Sequence, residues 1–137
     1  MPLKLEIVTP EKEAYSDEVD SVVIPGADGQ IGVLPAHAPL VTTLLPGELV
    51  FEKGGETHHI AVGEGFVEVA DDSVSVMAGI AMAGADIDED AVEKALKRAQ
   101  DALEGNTHED EENFAALQAT IAKSLAQLHV KRRRRRL

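Results

Sequence analysis

The 137-residue chain has no cysteine and no tryptophan, and only one tyrosine and three phenylalanines. Without cysteine, disulfides, thiolate metal sites and cysteine nucleophiles are excluded. The same absence fits a reducing compartment. With so few rings, any core must be built from aliphatic side chains. No run approaches the ~20 apolar residues that span a bilayer. Strand-like alternation begins at Leu3, so neither a signal peptide nor direct membrane insertion is expected, and the protein should be soluble. Proline is missing beyond Pro46; all six prolines lie at or before it. A turn-rich first part is therefore followed by a stretch free of helix breakers.

Positive charge is scarce and confined. The net charge is −12, from 13 basic and 25 acidic residues. Six of the basic residues are Lys131 to Arg136, which leaves −18 on the rest of the chain. An acidic body with a short cationic end argues against nucleic acid, because phosphate binding needs a broad basic face. The length suits one domain, or a small domain with an appendage.

What is present divides at Gly79 to Gly84. Before it, short apolar or alternating runs are punctuated by Gly, Pro and Asp. They are Leu3 to Val8, Val19 to Ile24, Ile31 to Leu34, Leu40 to Leu45, Glu48 to Glu52, Thr57 to Val62, Phe66 to Val69 and Val74 to Met77. Strands at this spacing predict a β-sandwich or barrel. Lys53-Gly54-Gly55-Glu56 marks a hairpin. After the division, Asp86 or Asp88 can cap a helix whose first turn holds Glu89 and Asp90. Val92, Leu96, Ala99 and Leu103 recur at helical spacing, and Gly105 fits the position just past the end. Asn106 to Glu112 reads as an acidic connector. Phe114, Leu117, Ile121, Leu125 and Leu128 then form a narrow seam on a second helix. The expected fold is α+β: an N-terminal β-sandwich over 1–84 and a C-terminal two-helix hairpin over 85–137. Its Ala- and Leu-rich faces make the hairpin marginal by itself, and so a candidate movable element.

The stretch that organises the chain is Gly29-Gln30-Ile31-Gly32-Val33-Leu34-Pro35-Ala36-His37-Ala38-Pro39-Leu40. Pro35 and Pro39 fix φ and remove two donors. Ala36 and Ala38 are expected to be extended. The product is a stiff connector presenting His37, and rigid loops of this kind are where contacts sit. This segment resembles the signature loop of the epsilon subunits of F-type ATP synthases (delta in mitochondria). Gly63-Glu64-Gly65-Phe66-Val67-Glu68-Val69 is similar to that family's Gly-Gly-Phe strand, and Ile87-Asp88 opens a two-helix tail as in the family.

The resemblance implies a non-catalytic rotor component that couples ion flow to ATP synthesis and regulates hydrolysis through mobile C-terminal helices. The implied partners are the gamma subunit, the membrane rotor ring of c subunits, and the catalytic alpha and beta subunits, met through the helices. The implied place is the cytoplasmic face of the bacterial inner membrane, as a peripheral part of the complex. Gln30, Ile31, Val33 and His37 would face the ring, with Gln30 where an acidic residue is common. Some relatives bind ATP between the helices through Ile/Leu-Asp-x-x-Arg-Ala and arginines on the second helix. Here only Ile87 and Asp88 match; Ala91, Lys123 and Gln127 replace the arginines. Without guanidinium forks, bidentate phosphate recognition is lost, so no cofactor is expected. Lys131, Arg132, Arg133, Arg134, Arg135 and Arg136 would form a regulatory basic end, or else a frayed tail.

The residues offer few competing chemistries. His58 and His59 are adjacent in a strand and point to opposite faces, and no third ligand accompanies them, so no metal site is expected. Asp86, Asp88, Glu89 and Asp90 are more simply acids at a helix start than catalytic carboxylates. No catalytic motif is visible. The rival classes are a small-ligand-binding sandwich or jelly-roll enzyme with an unrelated tail, and, through the arginine run alone, a nucleic-acid binder.

Overall fold

Alternation of Leu3, Leu5 and Ile7 with Lys4, Glu6 and Val8 is realised as strand β1 (Leu3–Val8) in the computed structural model, which describes residues 3–105 and 111–135. The strands that follow are β2 (Glu13–Val19), β3 (Ser21–Gly26), β4 (Gly29–Val33), β5 (Leu40–Leu44), β6 (Gly47–Lys53), β7 (Glu56–Val62), β8 (Gly65–Ala70), β9 (Ser73–Ala78) and β10 (Ala81–Ala83). They hydrogen-bond in the order β10-β7-β6-β3-β5-β8-β9-β1-β2, with β4 attached to β3. Only β1 and β9 run parallel among these pairings.

The sheet curls back on itself. Near its free end β2 approaches β6, where the Tyr15 and Phe51 rings lie 4.6 Å apart. The Asp20 amide donates to the Glu52 carbonyl at 2.7 Å, and Lys53 pairs with Asp17. The enclosed core is almost wholly aliphatic, as the composition requires; Leu5, Ile24, Leu44, Leu49, Val67 and Val74 are fully buried in it. Turn chemistry fixes the registers. Gly54 and Gly55 both have positive φ between β6 and β7, as a two-residue hairpin demands.

A 3₁₀ turn (Gly84–Asp86) leads into α1 (Glu89–Glu104). Asp88 is its cap, accepting the Ala91 amide at 3.2 Å, with Glu89 and Asp90 at the positive dipole end. Gly105 closes α1 differently from the expected left-handed cap. Its φ is −82°, and its amide simply continues the helical bonding to Asp101. Residues 106–110 of the anticipated connector lie outside the described residues. The second helix, α2 (Glu111–Arg135), packs on α1 and on β6 and β7.

The anticipated seam on α2 lies toward α1, where Ile121, Leu125 and Leu128 share a groove with Leu96 and Leu103, and a second contact is added beside it. Ala126 and Val130 join Ala61 and Ile87 in a small cluster separate from the main core, with Val92 of α1 against it. Leu128 is buried, whereas Leu125 remains 39% exposed beside Leu96 and Leu103 in a groove between the helices. A helix that meets partners on two sides cannot be read from one apolar stripe.

Candidate functional site

The organising loop lies between β4 and β5 and is built around a tight turn. The His37 amide donates to the Leu34 carbonyl at 3.2 Å, closing Leu34-Pro35-Ala36-His37. Pro35 supplies the first central position of a type II turn, and the second must then have positive φ. Ala36 indeed has φ 67°, not the extended conformation expected from its prolines. The residue after Ala36 is His37, so no proline ring restricts it. The Ala36 amide donates to Asp72 Oδ1 at 2.5 Å. His37 is half-buried, and its Nδ1 donates to the Ala38 carbonyl at 2.7 Å. In the neutral ring this leaves Nε2 as an acceptor.

Strand alternation sorts the four loop candidates. Gln30 is exposed and Ile31 half-buried. Val33 is only 1% exposed and belongs to the core, so its side chain offers no contact surface. Leu34, which the sequence reading passed over, is 63% exposed at the edge of the turn.

A larger apolar surface lies on the outer face of β5, β8, β9 and β1. Register places Thr43 opposite Phe66, Phe66 opposite Met77, and Met77 opposite Val8, one row across four strands. Phe66 is 59% and Met77 48% exposed, with Val41 exposed on β5 nearby. The signal was available: Phe66 alternates out of phase with buried Val67 and Val69.

At the helical end, the candidates separate. Asp88 is occupied as the α1 cap, and Ala91 offers only a methyl group. Gln127 is buried, its amide Nε2 donating to the Met82 sulfur at 3.4 Å. Lys123 lines a cavity of about 350 Å³ with Gly63, Glu64, Gly79 and Ile80, whose wall contains no α1 residue. The basic end is engaged where it is described. Arg132 donates from Nε to Glu89 at 3.2 Å and from Nη2 to Glu93 at 2.9 Å. These bonds hold its guanidinium pKa above the ordinary value, Glu89 contributing most. Lys131 Nζ donates to the Gly84 carbonyl at 3.1 Å. Arg136 and the side chains of Arg133, Arg134 and Arg135 lie outside the described residues.

The two adjacent histidines go to structural partners on opposite faces. His58 stacks on Phe51 at 4.9 Å, and His59 Nδ1 lies 2.5 Å from Glu48 Oε1. No metal-holding group of acids and histidines occurs among the described residues. Nor is any described helix long and apolar enough to cross a membrane.

A curled β-sandwich with a packed two-helix end is the class that these features define. Residues 2–84 match the family described as ATP synthase, Delta/Epsilon chain, beta-sandwich domain, and residues 85–132 match the long alpha-helix domain of the same chain. An ATP synthase epsilon chain of Anaeromyxobacter dehalogenans is 45% identical over 130 residues, covering 95% of this chain and 98% of the relative. One from Citrifermentans bemidjiense is 42% identical over 128 residues, covering 93% and 92%. In fold, the chain is similar to one in the Euglena gracilis mitochondrial ATP synthase (TM-score 0.76, 24% identity, 93% of this chain and 79% of that one). It is also similar to a chain in the Tetrahymena thermophila central stalk and c-ring structure (TM-score 0.62, 15% identity, 96% and 97%). The chain belongs to the delta/epsilon chain family of F-type ATP synthases. Membership makes it a central-stalk subunit with no catalysis of its own.

Proposed function

We propose that the sandwich docks on the gamma subunit through the outer face of β5, β8, β9 and β1, and turns with it. The observation that carries this reading is the cross-strand row of exposed Phe66 and Met77, with Val41 nearby. A stable interface has an apolar centre within a polar rim, and aromatic and Met side chains are enriched there. Glu68 beside the row supplies such a rim. In this arrangement the β4–β5 loop, with Gln30, Ile31, His37 and also Leu34, faces the ring of c subunits. Attachment to the membrane is then peripheral, through partners.

The helical end regulates hydrolysis by leaving the sandwich and reaching the alpha and beta subunits. Support comes from its small Ala- and Val-lined contact, held beside it by the Lys131 bond to Gly84, while Arg132 ties α2 to α1. ATP does not govern that release here. Ala91 has no fork, Gln127 is taken up by Met82, and Lys123 faces the sandwich. Calorimetry of the chain with millimolar ATP should give no saturable heat.

The docking reading is tested by co-purification with gamma. Phe66→Asp and Met77→Asp change exposed positions, so both variants should fold and lose gamma. Full retention of gamma by the double variant would move the interface elsewhere.

A further inference from the structure

Among the described residues, three other than glycine have left-handed backbone: Ala36, Asp71 and Asp72. Asp71 and Asp72 are explained locally. They are the two central residues of the turn joining β8 to β9, between paired Ala70 and Ser73, and such a turn requires positive φ at both. Aspartate tolerates that conformation. Alanine does not, because its Cβ crowds the following carbonyl. Beside the turn bond within the loop, a contact from outside it would offset that cost.

The residue in place to do so is Asp72. Its Oδ1 accepts the Ala36 amide across 36 positions of sequence. Its own carbonyl accepts the Lys4 amide at 2.9 Å, tying the β8–β9 turn to the start of β1. A carboxylate fixed by a rigid turn thus receives the donor at the strained centre of the loop, one residue before His37.

We propose that Asp72 is the positioning residue of the β4–β5 loop: its carboxylate selects the type II turn at Pro35-Ala36 and thereby sets where His37 is presented. That the loop meets the c ring rests on the reading above; that Asp72 shapes it does not. Asp72 touches no partner in this role. It acts through Ala36.

A merely turn-forming aspartate would be replaceable by glycine, which adopts positive φ freely. Asp72→Gly keeps the turn and deletes the acceptor, whereas Asp72→Asn keeps both. The full chain is compared by NMR as wild type, D72G, D72N and the double variant D72G/A36G. In D72G, the Ala36 amide should exchange at least ~10-fold faster, and its φ-dependent coupling should leave the left-handed value, while Ala70 and Ser73 stay protected. D72N should remain near wild type. D72G/A36G should recover the turn, since glycine needs no external hold. An Ala36 amide as protected in D72G as in wild type would overturn the proposal. ATP-driven ion pumping by the assembled enzyme is then measured at matched hydrolysis rates. Reduced pumping in D72G, restored in D72G/A36G, supports both readings. A displaced loop with unchanged pumping leaves Asp72 as the positioning residue and removes the loop from the ring contact.

Discussion

Gly65 stands where β8 enters beside β9, and no other residue fits there. A Cβ on it would lie 1.8 Å from the Met77 carbonyl oxygen, which is backbone and cannot rotate away. Gly65→Ala must push two paired strands apart. Overpacking of this kind costs ~1–3 kcal/mol, and a shift of that size should appear in chemical denaturation as a lower midpoint. A midpoint equal to wild type would show that the strands separate without cost. A second residue-scale expectation concerns the Lys53–Asp17 pair that helps close the sheet. The bond from Lys53 is the largest cause holding the Asp17 pKa below its ordinary 3.8, with the Glu18 amide assisting. A depressed carboxyl stabilises the fold above its unfolded pKa and loses that contribution as pH falls through the folded value. The stability gap between wild type and Asp17→Asn should therefore be constant near neutrality and close below pH 3.8. A gap that persists at pH 2 would mean that Asp17 acts through something other than its charge.

Helix α2 shows how an element can be legible in existence and hidden in orientation. Its Phe114 to Leu128 spacing announces a helix and a partner, and α1 is that partner. The second contact, through Ala126 and Val130 onto Ala61 and Ile87, uses residues too small to mark a face. Strands β2 and β10 were missed for related reasons. Glu13–Val19 has a mostly exposed pattern, as an end strand can, and Ala81–Ala83 is too short to alternate. The Asp88 cap and the Gly54-Gly55 hairpin were readable because each depends on local chemistry alone. The clamp from Arg132 to Glu89 and Glu93 depends on tertiary geometry and was invisible, although the cations themselves were plain. Its ions are partly exposed, and such pairs are screened over ~8 Å at physiological salt. Arg132→Ala should accelerate amide exchange around Ala126 and Val130 at low salt, with the difference from wild type shrinking as salt rises. Equal exchange at low salt would show that the apolar cluster and the Lys131 bond retain the helix without the clamp.

At the scale of the whole molecule, the plan of a sandwich followed by two helices was carried by turn residues, strand spacing and the loss of proline after Pro46. The β4–β5 loop was recognisable by its Gly, Pro and His order. Its shape was not: Ala36 is set by Asp72, a residue of a distant turn, and no local rule pairs them. Likewise Val33 sits in a motif that suggests surface, yet its parity with Ile31 sends it inward. Motifs record which residues occur together in chain order, while burial is decided by the sheet that they join.

On the docking proposed above, the exposed row of Phe66 and Met77 also has a cost outside the assembled enzyme. A chain made faster than its partners would carry open apolar surface into a crowded cell, where it can stick to its own copies. Supply of this polypeptide would then have to track that of its neighbours, with any surplus left to chaperones and proteases. Purified alone, the chain should sediment with an apparent mass that rises with concentration. Phe66→Ser should flatten that rise without lowering the unfolding temperature, and an identical rise in the variant would place the sticky surface elsewhere.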